Sequence, residues 1–115
     1  STLRLNSNSI SSSIPTQLGL MSNMTSYFHL FSNSLSSTIL TQLGGLSEMA
    51  RRFFLSELSL TGTLPTQLGR LSKMNERFDI SSNSLSSTIP SQLGGMSEMA
   101  EYFYLTQTSL TGAIP

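Results

Sequence analysis

The side chains that can do acid–base or metal chemistry are few in this chain. His29 is the only histidine, and no Cys or Asp stands at a spacing that would make it a metal ligand. Without such a partner, the sequence gives no sign that His29 serves as a general base. We therefore predict that His29 is an exposed surface residue pointing outward from a strand.

The other reactive residue types form no catalytic pattern. Glu48 and Glu98 lie at equivalent places 50 residues apart, as a repeated solvated surface would place them. No nucleophile motif surrounds any serine, and the glycines recur too regularly to form a phosphate loop. The absence of cysteine excludes disulfides and thiolate sites. The sequence predicts neither an enzyme nor a bound cofactor or metal.

The composition indicates which classes of binding partner are unsuited to this chain. The chain has 115 residues, with 6 Lys and Arg against 6 Asp and Glu. A net charge of zero argues against nucleic acid, which needs a basic surface, and against an electrostatic membrane binder. No apolar run approaches the ~20 residues of a membrane span. We expect neither nucleic-acid binding nor membrane insertion in this segment.

The chain consists of internal repeats. The stretch SNSLSSTI occupies residues 32–39 and returns at residues 82–89, with a variant, SELSLTGTL, at residues 56–64. The period is 25, and apolar residues recur at it in six columns, one of them formed by Leu3, Phe28, Phe53, Phe78 and Phe103. Aliphatic columns at such a period indicate a solenoid, in which each coil buries its face on its neighbours. We divide the array into coils 1–24, 25–49, 50–74, 75–99 and 100–115.

Each coil predicts the same local structures. Phe28 and Leu30 alternate as in a short strand, and the L-x-x-x-I-P stretch forms a second extended segment. The following T-Q-L-G predicts one helical turn, with Thr or Ser at its start and Gly as its C-cap. The fold class is an α/β solenoid with parallel strands on one face and short helical turns on the other.

The motif L-x-L-x-x-N-x-L-x-G-x-I-P-x-x-L-G-x-L resembles the plant-type extracellular leucine-rich repeat family over the whole chain. This resemblance implies an extracellular location and a leucine-rich repeat solenoid. Two features depart from it: an extra residue precedes each strand, and the motif asparagine (Asn8, Asn33, Asn83) is replaced by Leu58 and Thr108. An uninterrupted asparagine ladder is therefore excluded.

The coils alternate between two types. Coils 2 and 4 share SSTI and QLGG, whereas coils 3 and 5 share SLTG. Either a two-coil unit was duplicated, or a lateral partner repeats at every second coil.

The outward strand positions vary most from coil to coil. They hold Arg4, Tyr27, His29, Phe31, Arg52, Phe54, Arg77, Asp79, Tyr102 and Tyr104. Aromatic and Arg side chains are enriched in binding surfaces, so we predict that a protein or glycan binds here. The alternative is that exposed positions simply drift.

A second surface is rich in hydroxyls. Ser and Thr form two predicted flat rows, including Thr38, Thr61, Thr63, Thr88 and Thr111. Such rows resemble the ice-binding faces of some solenoids, although they are ordinary in plant-type repeats. The sequon NMT makes Asn23 a candidate glycosylation site on an exposed turn.

The ends expose core positions, because the chain starts and stops inside a coil without a polar cap. We expect either a fragment of a longer array or end-to-end self-association through Leu3 and Ile114. The favoured function is therefore an extracellular structural protein that assembles end to end into glycosylated filaments or cell-surface material. The first alternative is a recognition or adhesion module, and the lower alternative is an ice-binding protein.

Overall fold

The computed structural model describes all 115 residues and contains the predicted solenoid of parallel strands and short helical turns. Ten strands run along the chain: β1 (Thr2–Arg4), β2 (Ser11–Ser12), β3 (Tyr27–His29), β4 (Ser34–Thr38), β5 (Arg52–Phe54), β6 (Ser59–Gly62), β7 (Arg77–Asp79), β8 (Ser84–Thr88), β9 (Tyr102–Tyr104) and β10 (Ser109–Thr111). Four 3-10 helices span Thr16–Leu20, Thr41–Gly45, Thr66–Arg70 and Ser91–Gly95. No helix has the length and apolar content to cross a membrane.

The odd-numbered strands form one sheet whose register follows the sequence period. The strand order is β1-β3-β5-β7-β9, and Leu3 pairs with Phe28, which pairs with Phe53. The four inward phenylalanine rings stack with centroids 5.1–5.3 Å apart and nearly parallel planes. Phe28, Phe53 and Phe78 are fully buried, so this column forms the spine of the hydrophobic core.

The even-numbered strands form a second parallel sheet, in the order β10-β8-β6-β4-β2. Its register is staggered, because Thr38 pairs with Thr61, 23 residues later, and Thr61 pairs with Ser84. The strands are thus displaced by two residues at each coil, and laterally paired positions are not equivalent ones. The predicted extended segment is a strand, whereas the flat rows of hydroxyls stay a prediction.

The helical turns differ from the predicted capping. Pro15, Leu40, Pro65 and Pro90 occupy the N-cap positions, and no side chain caps any of the four turns. The glycines do not serve as left-handed C-caps, since only Gly62 and Gly112 have positive φ. They are needed for close packing instead: a Cβ added at Gly44 would lie 2.5 Å from the carbonyl oxygen of Gln67 in the next coil.

Asparagine links coils 1 to 2 and coils 3 to 4. The side chain of Asn33 donates to the carbonyl of Leu5 at 2.7 Å, and that of Asn83 donates to the carbonyl of Leu55 at 2.8 Å. At these same two junctions a Cβ at Gly45 or Gly95 would overlap a glycine carbonyl oxygen of the preceding coil. These contacts therefore recur every 50 residues.

A different contact links coils 2 to 3 and coils 4 to 5. The hydroxyl of Ser32 donates to the carboxylate of Glu57 at 2.7 Å, and Ser82 donates to Gln107 in the same way. Leu58, which replaces the asparagine in coil 3, is buried. The two coil types seen in the sequence thus make two alternating kinds of junction.

We expect Gly44→Ala to destabilise the fold by about 1–3 kcal/mol, because the new methyl group must push against the backbone of coil 3. Gly94→Ala is the matched control, since its nearest neighbour is the side chain of Pro115 at 3.7 Å. Urea unfolding followed by circular dichroism compares the two variants. Equal stability of the two would contradict the packing role of Gly44.

We expect Asn83→Ala to cost about 1–3 kcal/mol, because it leaves buried backbone groups of Leu55, Ile80 and Leu60 without their partner. Asn8→Ala should cost much less, because Asn8 is exposed and its amide donates only to carbonyls of its own coil. Thermal unfolding of both variants measures the difference. A similar loss at both positions would disprove the linking role.

Candidate functional site

The strand face consists of the outward side chains of β1, β3, β5, β7 and β9, together with Phe31. Parallel pairing in register brings together residues 25 apart, so Tyr27, Arg52, Arg77 and Tyr102 form one row across the sheet. A second row holds Arg4, His29, Phe54, Asp79 and Tyr104. All ten predicted face residues therefore lie on one continuous surface.

An aromatic cluster is centred on His29. Its ring stacks on Phe54 with centroids 4.4 Å apart, and the rings of Tyr27 and Phe31 meet it in edge-type geometry with centroids 5.4 and 5.8 Å away. Phe31 and Phe54 also contact each other, with centroids 5.8 Å apart. These contacts form an apolar layer across coils 2 and 3.

The prediction that His29 is an exposed residue is wrong. Its side chain points outward from β3, but neighbouring rings cover it, so only 7% of the residue is exposed and its Nε2 atom has no hydrogen-bond partner. Burial lowers the pKa of His29 to about 4, and the positive charges of Arg4, Arg52 and Arg77 contribute in the same direction. His29 is consequently neutral near pH 7.

Arg77 lies between two rings in the middle of the face. Its guanidinium is 4.7 Å from the centroid of Phe54 and 4.9 Å from that of Tyr104, within the range of cation–π attraction. Asp79 holds it at 3.1 Å and also accepts hydrogen bonds from the backbone and hydroxyl of Ser81. Asp79 is itself only 5% exposed, so this predicted face residue orients Arg77 and offers little surface to a ligand.

Two arginines converge on Tyr27. The guanidinium carbon of Arg4 lies 4.4 Å from the ring centroid, and that of Arg52 lies 5.4 Å from it. Glu76 approaches Arg52 at 3.5 Å and Arg51 at 3.7 Å, whereas Arg4 is in no ion pair. Sequence analysis does not identify Glu76 as part of this surface, although a period of 25 brings residue 76 beside residue 51.

The remaining predicted site residues lie away from the strand face. Thr38, Thr61, Thr63, Thr88 and Thr111 are all exposed in or beside the second sheet. Asn23 is exposed on the turn after the first 3-10 helix, and its glycosylation stays a prediction. Leu3 is half-buried against the core, and Ile114 is 67% exposed. No group of three His, Cys, Asp or Glu side chains is arranged to hold a metal ion.

Comparison with known proteins identifies the family. A family model described as Leucine Rich Repeat matches residues 76–96. The plant peptide hormone receptor RGFR1, solved in complex with RGF2, matches 99% of this chain with 35% sequence identity and a TM-score of 0.89. The chain belongs to the plant-type leucine-rich repeat family. A search of curated proteins gives no match.

Two further leucine-rich repeat structures from Arabidopsis are similar along the whole array. The receptor kinase HAESA, in complex with the peptide hormone IDA and the co-receptor SERK1, matches 100% of this chain at 30% identity, with a TM-score of 0.88. A chain of the BIR3–SERK2 complex from Arabidopsis thaliana matches 98% at 32% identity, with a TM-score of 0.84. This chain spans 18% of the RGFR1 chain, 19% of HAESA and 58% of the third.

Because His29 is buried, we expect the free energy of unfolding of the leucine-rich repeat fold to depend on pH. Because the folded-state pKa of His29 is about 4 against 6.5 for an unperturbed histidine, only the unfolded chain gains this proton between those values. The contribution of neutral His29 to the free energy of unfolding is therefore fully present above pH 6.5. It falls by up to about 3 kcal/mol as the pH drops towards 4. Urea unfolding as a function of pH, with histidine resonances followed by NMR, measures both quantities.

His29→Phe is the matched control for this titration, because it keeps an aromatic ring on Phe54 and removes the titrating group. The variant should lose less stability between pH 6.5 and 4.5 than the unmodified chain. A histidine resonance that titrates near 6.5 would contradict the buried position.

Proposed function

We propose that this chain is an extracellular recognition module that binds a peptide segment of a partner protein across its strand face. The observation that carries the proposal is the continuous layer of aromatic and arginine side chains over all five strands of the first sheet. These side chains hold one another by stacking and cation–π contacts, so little conformational freedom remains to be lost on binding.

Comparison of the coils supports selection on this surface. Coils 2 and 4 are identical at residues 32–39 and 82–89, yet all three strand-face positions differ: Tyr27, His29 and Phe31 correspond to Arg77, Asp79 and Ser81. Exposure alone does not explain the difference, because the exposed hydroxyls Thr38 and Thr88 are unchanged. Drift that follows exposure would change the exposed hydroxyls at least as much as these buried and half-buried strand-face positions.

The similar structures support a peptide or protein as the ligand. RGFR1 and HAESA were solved with peptide hormones, and the BIR3 structure is a complex with another protein. The filament hypothesis and the ice-binding hypothesis gain no such support, and the glycan alternative stays untested. Five strands span about 19 Å, enough for about six residues of an extended peptide that crosses the sheet.

Selection of random peptides on the immobilised 115-residue chain tests this function. We expect enriched peptides to lose about tenfold or more in affinity for Phe31→Ser, because the variant removes an aromatic contact from the face. Ser56 and Ser81 occupy the same column in other coils, so the fold accommodates serine there.

Thr38→Ala is the matched control on the second sheet, and it copies Ala113 at the equivalent position of coil 5. This variant should leave peptide binding unchanged. Failure to enrich any peptide that Phe31→Ser weakens would overturn the proposed function.

A further inference from the structure

Charge is unevenly distributed between the strand face and the rest of the molecule. The five strands of the first sheet carry three of the six basic residues (Arg4, Arg52 and Arg77) and only one acidic residue, Asp79. The other five carboxylates lie outside these strands. A neutral chain thus presents a positively charged face, which favours an acidic partner.

The excess of positive charge is concentrated in coils 1 to 3. Asp79 compensates Arg77 at 3.1 Å, and Glu76 approaches Arg52 at 3.5 Å from the edge of the sheet. Arg4 has no carboxylate partner, although it shares the ring of Tyr27 with Arg52. Two cations therefore approach one ring, and only one carboxylate, that of Glu76, lies near either of them.

An apolar surface adjoins these two cations. Arg4 pairs with His29 across the sheet, and the buried ring of His29 lies against Phe54 and Phe31. Burial keeps His29 neutral, so it does not add a third positive charge. Phe31 and Phe54 are half-buried and leave part of their rings open to a ligand.

We propose that Arg4, Tyr27 and Arg52 form an anion subsite that takes the side-chain carboxylate of an Asp or Glu in a bound peptide, next to an aromatic or apolar residue that packs on Phe31 and Phe54. This inference rests on the proposed function, whose ligand class it specifies. Tyr27 holds both guanidinium groups in place, so a carboxylate contacts preorganised donors.

The test uses the full chain and a random peptide library fused to a carrier, so that no peptide has a free terminal carboxylate. Peptides whose binding depends on Phe31 should be enriched in Asp or Glu next to aromatic residues. Replacing the acidic residue by Gln in such a peptide should weaken binding about tenfold or more. Arg4→Gln should cause a similar loss and should abolish the preference for the acidic peptide.

Arg70→Gln is the matched control, because Arg70 is exposed on a 3-10 turn and forms no ion pair. It should change neither the affinity nor the Glu-over-Gln preference. Strand-face binders that lack acidic residues, or that bind Arg4→Gln as well as the unmodified chain, would overturn the anion subsite and leave the proposed function standing. Absence of any strand-face binder would overturn both.

His29 supplies a second readout, because it is the only histidine and its NMR signal needs no assignment. An acidic peptide bound over Arg4 and Arg52 should raise the pKa of His29, since the bound charge offsets that of the arginines. Added burial contributes little, because His29 is already 7% exposed in the free chain. The Gln peptide should leave the pKa unchanged, and equal shifts with both peptides would contradict a carboxylate at this place.

Discussion

Stacking of equivalent residues at a fixed 25-residue period is the constraint on which the structure depends. The phenylalanine rings of coils 2 to 5 repeat at 5.1–5.3 Å, so every coil must bring its chain back to the same place. This requirement is met on the opposite side by the 3-10 turns, where Gly44 and Gly69 allow backbone to touch backbone. Bulk at these glycines would separate neighbouring turns while the strand sheet held the other side of each coil together.

The two alternating coil types make two different sets of contacts with their neighbours inside the solenoid. Asparagine bonds and glycine contacts join coils 1 to 2 and 3 to 4, whereas Ser–Glu and Ser–Gln bonds join coils 2 to 3 and 4 to 5. A buried leucine replaces asparagine in coil 3, and Glu57 supplies the coil contact from the adjacent position. The stretch SNSLSSTI, at residues 32–39 and again at 82–89, therefore occurs in the two coils that make the same contacts with their neighbours. No lateral partner is needed to account for the alternation.

Features that depend on the 25-residue period could be predicted from the sequence. Features that depend on side-chain contacts between coils could not. The six columns identify the solenoid, the core and the ten residues of the strand face, because they follow from spacing alone. Burial of His29 and Asp79 was missed, since it depends on rings and an arginine contributed by other strands. The two-residue stagger of the second sheet was missed as well, because nothing in a strict 25-residue repeat signals a 23-residue pairing.

The same register that builds the core also determines which strand-face side chains lie next to one another and can contact one ligand. Side chains that touch on this face come from different coils, so a ligand crossing the sheet meets one coil after another, about 4.8 Å apart. Because no strand-face position is repeated between coils 2 and 4, each place along that path differs in charge and shape. A regular scaffold thus carries an irregular surface: aromatic and cationic in coils 1 to 3, and a compensated Arg77–Asp79 pair between Phe54 and Tyr104 beyond them. A peptide bound as proposed would therefore meet different side chains in the two directions across the sheet.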